Sequence, residues 1–230
     1  MQGVRPLAGR GLAARPAAQG RPELERAHLV ISVVDYGVGN LANVERALRR
    51  AGARDVAVTS DARTILASRA IVLPGVGHFG HCARELAARG LDATVREARE
   101  RGIPILGLCV GMQLFFERSE EDASARGLGF MAGVVRRLSG AVRVPHIGWN
   151  EVRQRRSHPW LSGIPDGSHF YFVHSFAPDA EGGATLATTD HGATFASVVG
   201  GDGFLGVQFH PEKSSLAGTR LLQSVVRAIA

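Results

Sequence analysis

From residue 29 onward, short apolar runs alternate with amphipathic stretches. "LVISVVDYG" is an apolar run ending in a turn, which predicts a buried strand. "GNLANVERALRRAG" follows with apolar residues at helical spacing and a glycine stop, which predicts a helix. "DVAVTS" and "AIVLPGVG" predict two more strands, the second ending in glycines. "ELAARGLDATVREARERG" predicts one helix, "IPILGLC" a strand and "VGMQLFFERS" another helix. Nearly all-apolar strands separated by helices predict a parallel sheet covered on both faces. Ligands in such folds sit beyond the carboxyl ends of the strands. Three glycine-bearing loops fall there: "DYGVGN", "PGVGHFG" and "GLCVG".

The second half reads differently. "GVVRRLS", "HFYFVHSFAP", "ATLATT" and "FASVVGGDGFLGVQFHPE" predict shorter strands with tight turns, antiparallel or mixed, and "SLAGTRLLQSVVRAIA" a closing helix. The expected fold is α/β, with an open, mostly parallel central sheet, helices on both faces, and a smaller mixed or antiparallel sheet. This domain spans residues 28–230. Residues 1–27 are rich in Arg, Ala, Gly and Pro without apolar periodicity, so a disordered extension is expected there. They lack the continuous apolar run of a secretory signal.

Composition narrows the functional classes. Apolar residues make up 45% of 230, enough for a full core. No stretch approaches the ~20 apolar residues that span a bilayer, so no membrane partner is expected. Two cysteines, Cys82 and Cys109, cannot build a disulfide framework and suit a reducing cytoplasm. A net charge of +6 raises the question of nucleic acid. The arginines are scattered, however, and Lys213 is the only lysine, the pattern of a GC-rich coding sequence. No nucleic-acid partner is expected. The histidines lack metal-ligand spacing, and no dinucleotide fingerprint or phosphate loop is present, so neither metal nor cofactor is expected.

The chemistry concentrates in two stretches. "GLCVG" places Cys109 between Gly107 and Gly111, after a strand and before a helix. That is the form of a nucleophile elbow, a sharp turn that presents a side chain at a helix start. Unpaired N–H groups there favour a thiolate and can receive an oxyanion. A thiol nucleophile needs a base, and the base an orienter. "GVQFHPEKS" offers His210 and Glu212, two apart in a segment that Pro211 keeps extended, hence on one face. Taken alone, "HPE" reads better as a histidine ending a strand beside a solvated carboxylate; beside the elbow, the pair reads as base and orienter.

"GLCVGMQ" and "GVQFHPE" together resemble the Cys–His–Glu triad of the class I, triad-type glutamine amidotransferases, over residues 29–230. "DYGVGNLANV", "LPGVGHF", "VPHIGWN" and "YFVHSF" are similar, within that class, to the glutaminase subunits of imidazole glycerol phosphate synthase. Most of the class carries Gly-Gly after the loop proline where this chain has "PGVG". The resemblance implies the class I amidotransferase fold and a glutaminase. Cys109 would attack the glutamine amide, His210 would move the proton, and Glu212 would orient His210. Val110 and Val76 would supply the oxyanion hole. Gln113, Glu121, Ser175 and Phe176 would bind substrate, although the family usually has tyrosine where Phe176 stands. The ammonia would pass to a (β/α)8-barrel cyclase subunit in a one-to-one heterodimer, with Asn40, Trp149 and Lys213 at or near that interface. The cyclase would convert PRFAR to imidazole glycerol phosphate and AICAR. Low activity is expected of the isolated chain, with the "PGVG" loop rearranging when partner and nucleotide bind. The rivals are a glutaminase of another class I amidotransferase, a freestanding cysteine hydrolase, and a binding module that has lost its chemistry.

Overall fold

The computed structural model describes residues 30–229. The expected N-terminal extension, 1–27, and the domain start at 28 lie outside the described residues. The first strand, β1 (Val30–Val34), leads into α1 (Leu41–Arg50), β2 (Asp55–Thr59), a short α2 (Ala62–Leu66) and β3 (Ala70–Leu73). Next come α3 (Phe79–Ala88) and α4 (Leu91–Glu100), where the sequence pattern predicts a single helix. Gly90 divides them at φ +67°, a left-handed conformation that glycine adopts without steric cost.

After β4 (Ile105–Leu108), helix α5 runs only from Val110 to Gln113, whereas apolar spacing predicts a helix to Ser119. The chain turns instead into β5 (Phe116–Ser119), which pairs in parallel with β6 (Met131–Arg137). Gly127 seals that turn: a Cβ there would lie 2.0 Å from the Phe116 carbonyl oxygen. Tertiary contact overrides local helix preference. The chain continues through β7 (His146–Gln154), β8 (Ser168–His174), β9 (Phe176–Pro178), β10 (Thr185–His191), β11 (Ala193–Gly201) and β12 (Phe204–Val207), closing with α6 (Ser215–Ala228).

Nine strands form one sheet in the order β2-β1-β3-β4-β12-β11-β10-β7-β8. The ladders from β2 to β12 are parallel, and those from β12 to β8 antiparallel. Most second-half strands therefore extend the central sheet. The smaller sheet, β5-β6-β9, is mixed. Alternation along each strand splits the core in two. Ile31, Val33, Leu106 and Leu205 face α1 and α6 with Leu48 and Leu221. Val34, Ile71, Ile105 and Phe204 face α3 and α4 with Leu86 and Val95. Among the described residues, no helix is long and apolar enough to cross a membrane.

Strand register brings the chemistry together. β12 pairs with β4 so that Val207 lies opposite Leu108. The segments that leave these two carboxyl ends begin side by side, one with Cys109 and the other with Gln208 and His210. The Cys109 N–H donates to the Val207 carbonyl at 2.8 Å and locks the junction.

Candidate active site

Cys109 joins β4 to α5 at φ +53°, ψ −112°, a conformation L-residues rarely adopt, and its side chain is buried. Its glycine neighbours are there for space. A Cβ on Gly111 would lie 1.9 Å from the Leu73 carbonyl oxygen. One on Gly107 would lie 2.6 Å from the Phe115 ring. The "PGVG" loop abuts the elbow, since a Cβ on Gly75 would lie 2.6 Å from the Gly111 nitrogen.

His210 follows β12, held by its own backbone. Its N–H donates to the Tyr171 carbonyl at 2.9 Å, and its carbonyl accepts from Ser214 Oγ at 2.6 Å. The ring Nδ1 lies 2.8 Å from Glu212 Oε1, with both side chains almost fully buried. Nε2 has no hydrogen-bond partner among the described residues. Burial alone would lower the His210 pKa. The Cys109 sulfur and the Glu212 carboxylate outweigh it and raise the ring to about 10. A histidine held by a carboxylate beside a cysteine is the arrangement that nucleophilic thiol chemistry requires.

These groups open into a cleft of about 480 Å³. Every candidate for catalysis, the oxyanion hole, substrate binding or the partner interface lines it except Glu212 and Trp149. Glu212 sits behind His210. Trp149 stands about half-exposed on β7, with its ring edge-on to Tyr171. Asn40 precedes α1 without making a side-chain cap, and Lys213 Nζ lies 6.0 Å from the Tyr171 ring centroid. Glu121 Oε2 accepts from the Phe79 N–H at 2.7 Å, at the start of α3. Ser175 and Phe176 lie where the chain passes from β8 to β9.

Three features escape the sequence reading. The first is Gln208, fully buried, whose Nε2 lies 3.6 Å from Cys109 Sγ. Strand alternation holds the signal for it, because residues two apart face the same way and Gln208 is two before His210. The second is Cys82, whose Sγ–H donates to the Val76 carbonyl at 3.4 Å. Burial pushes this thiol up to about 11, so it stays a donor. With Tyr36, whose hydroxyl donates to the Pro74 carbonyl at 2.6 Å, it pins the "PGVG" loop. The third is a buried histidine pair. His174 Nδ1 lies 3.0 Å from the Phe176 carbonyl, and His174 Nε2 lies 3.1 Å from His146 Nδ1. Burial lowers their pKa values to about 3 and about 4, which keeps both rings neutral.

The geometry meets the requirements of acyl transfer: a strained thiol, a charged ring beside it, a buried carboxylate behind the ring, and a cleft in front. The family model for glutamine amidotransferase class-I matches residues 32–228. The chain belongs to the class-I glutamine amidotransferase family. Imidazole glycerol phosphate synthase subunit HisH of Dehalococcoides mccartyi is 45% identical over 196 residues, 85% of this chain and 95% of that one. The subunit of the same name from Symbiobacterium thermophilum is 46% identical over 200 residues, 86% and 94% of the two chains. Among solved structures, a putative GMP synthase subunit from Thermoplasma acidophilum matches with TM-score 0.66 at 20% identity, covering 88% of this chain and 94% of that one. A crystal structure of a glutamine amidotransferase matches with TM-score 0.64 at 20% identity, covering 86% and 97%. These two likenesses establish the amidotransferase fold.

Proposed function

We propose that the chain hydrolyses glutamine to glutamate and ammonia through a Cys109 thioester. It passes the ammonia to a (β/α)8-barrel cyclase subunit, which makes imidazole glycerol phosphate and AICAR from PRFAR in histidine biosynthesis. One observation carries the reading: the strained, buried Cys109 stands beside a His210 ring that Glu212 and the sulfur hold charged. The similarity to HisH subunits supports the choice of acceptor. The cytoplasm is its setting, in keeping with two buried cysteines that form no disulfide.

The thiolate attacks the side-chain amide carbon, and the oxygen becomes an anion beside the backbone of Val110 and the "PGVG" loop. The carbon–nitrogen bond breaks as His210 gives its Nε2 proton to the departing nitrogen, which leaves as ammonia. Water then adds to the thioester, giving up a proton to His210. The carbon–sulfur bond breaks to release glutamate, and the thiolate–imidazolium pair is restored. Glu212 keeps Nδ1 protonated and the ring aimed. Glu121, Ser175 and Phe176 hold the α-groups of glutamine. Asn40, Trp149 and Lys213 meet the cyclase.

The test is glutamate release by the purified chain, alone and with a cyclase subunit plus its nucleotide, against Cys109→Ala. Activity that rises on adding partner and nucleotide, and is lost in Cys109→Ala, supports the reading. Strong activity of the lone chain, unchanged by the partner, would indicate a freestanding hydrolase. No activity with the partner bound would indicate a module without chemistry.

A further inference from the structure

A single hydrogen-bond pattern runs from a backbone carbonyl to the Cys109 sulfur, and its donors and acceptors are fixed along the way. The Phe176 carbonyl can only accept. Gln113 therefore turns its amide nitrogen toward it, at 2.9 Å. The same nitrogen lies 3.1 Å from the Gln208 side chain, which must present its oxygen there. Gln208 has one group left, its own Nε2, and that atom faces Cys109 Sγ at 3.6 Å. The amide orientations thus follow from one carbonyl rather than from an arbitrary choice. Gln113 spends both amide hydrogens in this way, one on Phe176 and one on Gln208. Gln208 is fully buried, so no water competes for its N–H.

The far side of the Phe176 carbonyl is equally determined. His174 Nδ1–H takes its second lone pair, which leaves His174 Nε2 as an acceptor for His146 Nδ1–H. His146 Nε2 in turn accepts from Asn150 Nδ2 at 3.2 Å. The carbonyl that orients Gln113 is held from both sides.

We propose that Gln208 is a further catalytic residue, whose side-chain N–H donates to the Cys109 thiolate, with Gln113 as the positioning residue that turns the amide toward sulfur. The proposal rests on the reading of Cys109 as the nucleophile. It assigns Gln113 a task besides any contact with glutamine. His210 and Gln208 approach the sulfur from one strand end, the first supplying a proton to the leaving group and the second holding the anion. A hydrogen bond to an ionised group is about twice as strong as a neutral one, and low local dielectric strengthens it further.

The experiment is alkylation of Cys109 by iodoacetamide as a function of pH, read on the Cys109 peptide by mass spectrometry so that Cys82 does not contribute. The full chain is compared with Gln208→Met, Gln208→Glu and Gln113→Met, and thermal midpoints report folding. Gln208→Met is expected to move the half-maximal pH up by about one unit. Gln208→Glu keeps the shape and the bond from Gln113 but sets a carboxylate against the sulfur, so it is expected to move the midpoint further. Gln113→Met, which frees the Gln208 amide from its orientation, carries the test if Gln208→Met does not fold. Gln113→Met is expected to shift in the same direction by less. A carboxylate at position 208 raises the midpoint by its charge alone, so Gln208→Glu reports only that the position faces the sulfur. A residue with only a packing role would leave Gln208→Met and Gln113→Met like the parent, and that result overturns the proposal. A parent midpoint at the ~8.5 of an ordinary cysteine overturns the nucleophile reading itself, and this proposal with it. A depressed parent midpoint unmoved by Gln208→Met and Gln113→Met overturns this proposal alone.

Discussion

Gly111 and the Leu73 carbonyl are packed so closely that a Cβ on Gly111 would lie 1.9 Å from the oxygen. The contact joins the first turn of α5 to the end of β3, and so joins the elbow to the "PGVG" loop. Neither side can give way cheaply, because the atom in the way is backbone in a sheet. Gly111→Ala is therefore expected to destabilise the chain by about 3 kcal/mol or more, measured by urea unfolding. A loss below about 1 kcal/mol would show that the elbow can shift without strain.

Cys109 presents the opposite case, in which the native residue is the strained one. Its φ and ψ, +53° and −112°, are the mirror image of an extended conformation that glycine adopts freely. Strain of this kind costs about 1 to 3 kcal/mol, offset in part by the extra freedom of an unfolded glycine. Cys109→Gly is expected to be more stable than Cys109→Ala by about 1 kcal/mol, or ~2–4 °C in Tm, while both lack activity. Calorimetry of the two variants decides it. Equal midpoints would mean that the elbow holds no strain.

The elements most readily legible in the sequence are those whose chemistry is local. "GLCVG" carries its turn in its own glycines, and "HPE" carries its extended backbone in Pro211. Parallel strands β1, β3 and β4 announce themselves as apolar runs because both faces are buried. The helix expected over 110–119 ends at Gln113 because Phe116 and Gly127, eleven positions apart, take over its backbone. β7 shows in the sequence only through the motif "VPHIGWN", since its pattern follows no clean alternation. The bonds from Gln208 through Gln113 to Phe176 span 95 and 63 positions. No periodicity within a window of the chain can reveal them.

The histidine pair makes stability depend on acid. His146 and His174 have folded pKa values of about 4 and about 3, lowered by burial, against an unfolded value near 6.5. Between those limits the unfolded chain binds more protons than the folded one. The pair's contribution to stability is therefore full above pH 6.5 and falls as pH drops toward 4. A thermal midpoint that declines between pH 7 and pH 4, with the ring signals of both histidines unmoved at pH 5 by NMR, is the expected outcome. Titration of either ring above pH 6 would contradict the burial argument. A proton on His174 Nε2 would face the His146 Nδ1–H, and one on His146 Nε2 would face the Asn150 amide, so either would break a bond in the relay behind the Phe176 carbonyl.

On the proposed function, Trp149 bears on the partner rather than on the thiol. Ile147 and Trp149 are two apart on β7, hence on one face, and are 60% and 52% exposed. Across the ladder they meet Val173 and Tyr171, so the apolar surface spans both strands. Val173 and Lys213 line the cleft, which places this surface at its mouth. A partner seated there covers the opening through which ammonia would otherwise reach water. An exposed indole of this kind is a typical anchor of a protein interface, and its truncation costs about 2 kcal/mol or more. Trp149→Ala is expected to weaken cyclase binding by roughly 30-fold in titration calorimetry. Cys109 alkylation by the free chain should not change, because Trp149 does not line the cleft. Unchanged affinity would place the cyclase elsewhere, and altered alkylation would give Trp149 a role within the cleft itself.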